Sequence, residues 1–194
     1  MRLLVLVGSL GAALLLLVAA GCGGSDEQAA TGSTDAAAFD QAFVDAMVMH
    51  HEQAIAMSKD ALAAGLAEPV LVDIANSIVE AQQAEIDQLK TWRQEWFGSS
   101  TIDPNTGEEL GLSTDEMGMT EMDFATAKDV DAAFATAMIA HHEGAIMMAE
   151  LVPDRTDRPE LETLAAGIIE AQTAEIEQMT PFASDDAMAG MNHG

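Results

Sequence analysis

The residues in this chain best suited to chemistry are histidines written in adjacent pairs and flanked by methionine. His50 and His51 stand in "AMVMHHEQAIAM" (residues 46–57), and His141 and His142 stand in "AMIAHHEGAIMM" (residues 137–148). A neutral imidazole nitrogen is a good ligand for Cu, Zn, Fe or Ni, and a thioether nearby tilts the choice toward Cu(I). On a helix, residues three and four apart share a face. Met47 is therefore within reach of His50 and His51, and Met138 of His141 and His142. Met57 and Met148 are accessory candidates, although methionine also fills irregular core gaps with no further role.

Helices must position these groups. Beyond residue 38 the chain is rich in Ala, Met, Glu and Gln and has no tyrosine, a composition that favours helix over strand. Breakers divide it into four helices. The first runs from about Asp40 to Ala64 and closes at Gly65, and the second opens near Pro69 and ends before Gly98. The third runs from about Asp129 to Leu151, and the fourth opens between Asp157 and Pro159 and stops at Pro181. The repeat reaches past the histidines, since "IVEAQQAEIDQL" (78–89) is matched by "IIEAQTAEIEQM" (168–179). Two similar hairpins, neither able to bury both of its apolar stripes alone, imply an all-α four-helix bundle with a pseudo-twofold relation. Two hairpins from separate chains, giving a homodimer, satisfy the same pattern.

At about 100° per residue, both histidines of each pair fall within the apolar arc of their helix, whereas Glu52 and its equivalent Glu143 project to the opposite side. The second helix places Gln82 and Glu85 among Leu71, Ile74, Ile78, Ile86, Leu89, Trp92 and Trp96. The fourth places Gln172 and Glu175 among Leu161, Leu164, Ile168, Ile176 and Met179. The interior is thus expected to hold two His pairs, two Glu and two Gln. Unpaired buried charge is costly, so these groups must pair with one another or bind something. Metal binding and a purely structural hydrogen-bond network both meet that demand. Glu85 and Glu175 join the candidates as ligands or as partners that orient imidazoles. The pattern leaves open whether the two pairs face one site or two.

Softer candidates lie outside the helices. The connection carries Met117, Met119 and Met122 in "EMGMTEM", and the tail carries Met188, Met191 and His193 in "DDAMAGMNHG" (185–194). Thioethers at this spacing suit Cu(I) capture, and the connection could equally form a short amphipathic helix docked on the bundle.

Residues 1–22 are set apart. Arg2, an apolar run from Leu3 to Ala20 and "VAAGC" resemble a bacterial lipoprotein signal, with Ala where Leu is more usual and Cys22, the only cysteine, at the lipidation position. Residues 23–38 read as a flexible polar tether, 39–182 as the bundle domain and 183–194 as a flexible tail. The expected location is the extracytoplasmic side of a membrane, held by the lipid anchor. Thirty-three acidic residues against seven basic ones give a formal charge of -26, which argues against nucleic acid as a partner and favours cations.

The paired motifs "MVMHHEQAIAM" and "MIAHHEGAIMM", each preceded by Asp and Phe at helical spacing, resemble the CopM-like secreted family, domain of unknown function 305. That resemblance covers nearly everything from Phe39 to Phe182. It implies a ferritin-like four-helix bundle, export and a copper role for His50, His51, Met57, His141, His142 and Met148. Ala140 departs from the first repeat, which has Met49. Ferritin-like di-iron enzymes place Glu-x-x-His on two helices. Here the second and fourth helices carry Gln-x-x-Glu, which argues against a redox enzyme.

Overall fold

The computed structural model describes residues 27–120 and 122–184. Cys22 and the tail positions Met188, Met191 and His193 lie outside the described residues. Four long helices form the bundle: α1 (Glu27–Ala64), α2 (Pro69–Phe97), α4 (Val130–Glu150) and α5 (Pro159–Met179), with a single turn α3 (Gly107–Leu110) in the connection between halves. Short 3-10 turns occupy Phe124–Thr126 and Thr180–Phe182. No helix among the described residues is long and apolar enough to cross a membrane.

The ends follow from local chemistry. Pro69 and Pro159 open α2 and α5, where a missing N–H costs no helical hydrogen bond. Asp129 caps α4 by accepting from Ala132 N at 3.0 Å. Gly98 closes α2 at φ 75°, donating its N–H to Gln94 O. At the other end the expectation fails. The stretch 23–38, read as a flexible tether, is helical from Glu27 onward, because its Ala, Glu and Gln are good helix formers that continue into α1. Residues 35 to 38 are exposed or half-buried, and Phe39 is buried.

Sequential helices pack as hairpins, α1 on α2 and α4 on α5; the halves meet mainly through α1 against α4, and α2 touches α5 only lightly. The apolar core is split in two. One cluster holds Phe43, Met47, Leu89, Met148, Leu161 and Ile168; the other holds Phe134, Met138, Met179, Met57, Leu71 and Ile78. Each of the six residues named from the first has its repeat equivalent among the six named from the second, so the pseudo-twofold axis runs across the bundle and exchanges its ends. The four histidines sit between the clusters, at the level of that axis.

Reciprocal ties hold the hairpins together. Asp131 accepts from Ala67 N at 2.8 Å and Glu68 N at 3.2 Å in the α1–α2 turn, while its equivalent Asp40 accepts from Arg158 Nε at 3.0 Å just before α5. Arg158 also lies 4.1 Å above the ring of Trp96, which stacks on Trp92 at 5.1 Å. Buried Asp45 accepts from Arg93 Nε at 2.8 Å and from its second terminal nitrogen at 3.3 Å, and Arg93 donates to Ser99 O at 3.1 Å. That fork anchors the start of the connection.

The connection then crosses the seam between α1 and α4 in very close contact. A Cβ on Gly144 would stand 2.1 Å from Met117 O, and one on Gly118, at φ 66°, would stand 2.4 Å from Ala140 O. Gly144→Ala must therefore displace the connection, and a loss of about 1–3 kcal/mol in urea unfolding is expected. Gly167→Ala, where a Cβ meets nothing on α5, should instead gain about 0.5–1 kcal/mol. Equal stability of the two variants would contradict this packing.

Candidate metal centre

All four histidines are buried, with fractional exposures of 1 % or less. Both members of each pair therefore face the interior, as their place in the apolar arc requires. His50 and His141 meet ring to ring, their centroids 3.7 Å apart and their planes tilted by 36°. The two pairs thus share one layer at the centre of the bundle. The outer members point toward the partner helices: His51 Nε2 lies 2.7 Å from Glu85 Oε2, and His142 Nε2 lies 2.7 Å from Glu175 Oε2. These two bonds are repeat equivalents.

The central members are not treated alike. His50 Nε2 donates to Met117 O at 2.8 Å, whereas neither nitrogen of His141 has a partner. The asymmetry originates in the connection, which has no counterpart among the described residues of the second half. Gln53 Nε2 donates to Thr120 O at 3.3 Å and reinforces it. Gln53 and Gly144 occupy equivalent positions, one holding the connection by its side chain and the other admitting it by having none.

A carbonyl and two carboxylates can only accept, so His50, His51 and His142 each donate from Nε2. In the neutral ring the lone pair is then on Nδ1. Nδ1 lacks a partner in all four histidines. Burial, and then the adjacent His51, push the pKa of His50 down to about 3, with the Met117 carbonyl opposing. Burial and the facing His50 hold His141 well below the ordinary histidine range. His50 and His141 are therefore neutral nitrogen donors in a buried layer, and carboxylates orient the outer pair. That donor chemistry suits a transition metal. Among the described residues, no three His, Cys, Asp or Glu side chains converge as a ready-made chelate.

The remaining candidates fall in several places. Glu85 and Glu175, expected inside, lie at the rim with side chains 30 % and 18 % exposed, which keeps their carboxylates hydrated while one oxygen reaches inward. Gln82 and Gln172 are buried, and their Oε1 atoms have no partner. Met47 and Met148 pack in one core cluster, Met138 and Met57 in the other. Met117 is buried too, while Met119 and Met122 are half-buried against opposite clusters, so these three form no shared group. Exposed Glu52 accepts from Lys90 Nζ at 2.7 Å on the surface, as its wheel position indicates. Sequence reasoning missed the Met117 carbonyl and the buried Asp45–Arg93 fork. The departures within the repeated motif, Gly144 for Gln53 and Ala140 for Met49, are the sequence signal at the connection's path.

Depressed folded-state pKa values carry a sign. The unfolded histidines bind protons below pH about 6.5, and folded His50 and His141 do not, so stability falls as pH drops from about 6.5 toward 3. Each contributes a slope of up to about 1.4 kcal/mol per pH unit. Urea midpoints between pH 6.5 and 5 should decline steeply in the natural chain and less steeply in a His50→Leu, His141→Leu variant. An unchanged slope would refute the neutral, buried state of these rings.

CopM in its Cu(I)-bound form is similar, with 35% identity and a TM-score of 0.61 over 74% of this chain and 94% of that one. CopM in the Cu(II)-bound form gives 35% identity and a TM-score of 0.60 over 74% and 95%, and the Ag-bound form obtained by soaking gives 36% and 0.60 over 74% and 93%. No curated protein matches the chain. The family described as domain of unknown function (DUF305) matches residues 19–93 and 40–183, and to that family this all-helical chain belongs.

Proposed function

We propose that this chain is an exported, lipid-anchored copper-binding bundle serving metal buffering, delivery or tolerance. The observation that carries the reading is the central layer of four buried imidazoles, each with an unpaired Nδ1. His50, His51, His141 and His142 are the principal ligands. Glu85 and Glu175 hold the outer imidazoles through Nε2 and orient them, as carboxylates do behind metal-bound histidines. Met47 and Met138 supply thioethers near the layer, with Met57 and Met148 as accessories. The half-buried Met119 and Met122 and the tail residues Met188, Met191 and His193 capture Cu(I) at the periphery; Met117 joins them only when its buried side chain is released. Similarity to a protein with Cu(I)-, Cu(II)- and Ag-bound forms supports the choice of metal. Similar filling of soft and borderline sites is expected of imidazole and thioether donors.

A second reading is favoured by one observation. His51 and His142 already have carboxylate partners, and no three His, Cys, Asp or Glu side chains converge among the described residues, so the layer also fits a non-metal bundle specified by an internal hydrogen-bond network. Metal analysis of the chain and of a variant with all four histidines replaced by Ala separates the two, with circular dichroism to verify folding. Copper bound stoichiometrically by the natural chain and lost from the variant is expected. Copper persisting in the folded variant would move the site to the methionines, and none in either would leave the network alone.

Export rests on the signal-like residues 1–22. Cys22→Ala should move the chain from the membrane fraction to the soluble extracytoplasmic fraction. Equal membrane association of both forms would rule out lipidation as the anchor.

A further inference from the structure

The imidazole layer has two flanks on the pseudo-twofold axis, and they differ. On the α1–α4 flank the connection is seated against α4 at Gly144 and caps His50 with a backbone carbonyl. On the α2–α5 flank the helices touch only lightly and leave a cleft of about 30 Å³, room for about one water molecule or ion. Its lining consists of four repeat-equivalent pairs, Ile78 with Ile168, Ala81 with Ala171, Gln82 with Gln172, and Glu85 with Glu175. The cleft therefore lies on the axis, over the imidazoles.

We infer that this α2–α5 cleft is the access port through which a metal cation reaches and leaves the buried imidazoles, an inference that rests on the copper-binding reading. Three features converge on it. Glu85 and Glu175 are the groups common to the cleft and the layer: each carboxylate is partly exposed to solvent and lies 2.7 Å from a buried imidazole nitrogen. The Oε1 atoms of Gln82 and Gln172 are buried without partners in the same lining, so an incoming cation meets carbonyl oxygens as it sheds water. Net charge adds direction, because a chain at -26 attracts cations and a mouth with two carboxylates focuses that attraction. The carboxylates take the ion first as oxygen donors. The imidazole and thioether donors behind them then retain a softer ion.

A port affects rates and leaves equilibrium alone, so blocking it slows uptake and release by the same factor. Ala81 and Ala171 are exposed at the cleft and lie outside the ligand set. Ala171→Phe and Ala81→Phe cover the mouth, and Ala174→Phe, exposed on α5 but outside the lining, is the control. Stopped-flow uptake of Cu(II) and Cu(I) by the full chain, and transfer to a chelator, give the two rates; equilibrium titration gives stoichiometry. Uptake and release both slowed about tenfold or more in the two cleft variants, with stoichiometry intact and the control unchanged, is the expected result. Unchanged rates in both cleft variants at full stoichiometry would remove the port and leave the copper reading standing. Lost stoichiometry in a folded cleft variant would place the ion in the cleft and overturn the port. No copper uptake by the natural chain would end both proposals together.

Discussion

A helical bundle of this size is held by apolar packing, and here the packing is interrupted at its centre by imidazoles. Each buried nitrogen without a partner costs about 1–3 kcal/mol, so the layer works against the stability that the clusters on either side supply. The bundle tolerates it because those clusters are extensive and because three of the four rings have one nitrogen satisfied. The same penalty keeps the central rings uncharged, and an uncharged imidazole is the form that binds metal. Stability given up in the middle of the core thus keeps the lone pairs of His50 and His141 free of protons.

Duplication organises the layer, and the single connection breaks its symmetry. Exchange of equivalent residues between the two clusters means that neither hairpin owns a complete core, so each end of the bundle needs both. The ties at Asp40 and Asp131 express the same interdependence, each reaching from the first helix of one hairpin to the turn of the other. The connection passes once, over one flank, and there it fixes His50 and leaves His141 free.

Much of this was legible in the residues. Helix termini at Pro69, Gly98, Asp129 and Pro159 carry chemistry that acts within one turn, so local reading suffices. Burial of all four histidines follows from their position on the wheel, and so does exposure of Glu52. The wheel sets Glu85 and Glu175 deeper than the structure does, because it assigns an angle but not the distance to which a long side chain extends toward water. The helical start at Glu27 was hidden by Gly, Ser and Thr among good helix formers. Backbone partners are the hardest to foresee. Met117 acts on His50 through its carbonyl, which every residue has, and the long-range pairing of Asp45 with Arg93 has no periodic signature.

The close seating of the connection on Gly144 bears on what a fused repeat can do that a pair of identical chains cannot. Two copies of one hairpin would be obliged to give their central rings the same surroundings, and any strap laid over one would be laid over the other. Joining them in one chain leaves a linker that nothing among the described residues mirrors. The two rings at the axis can then diverge, one tethered and one at liberty, while the frame around them stays nearly symmetric.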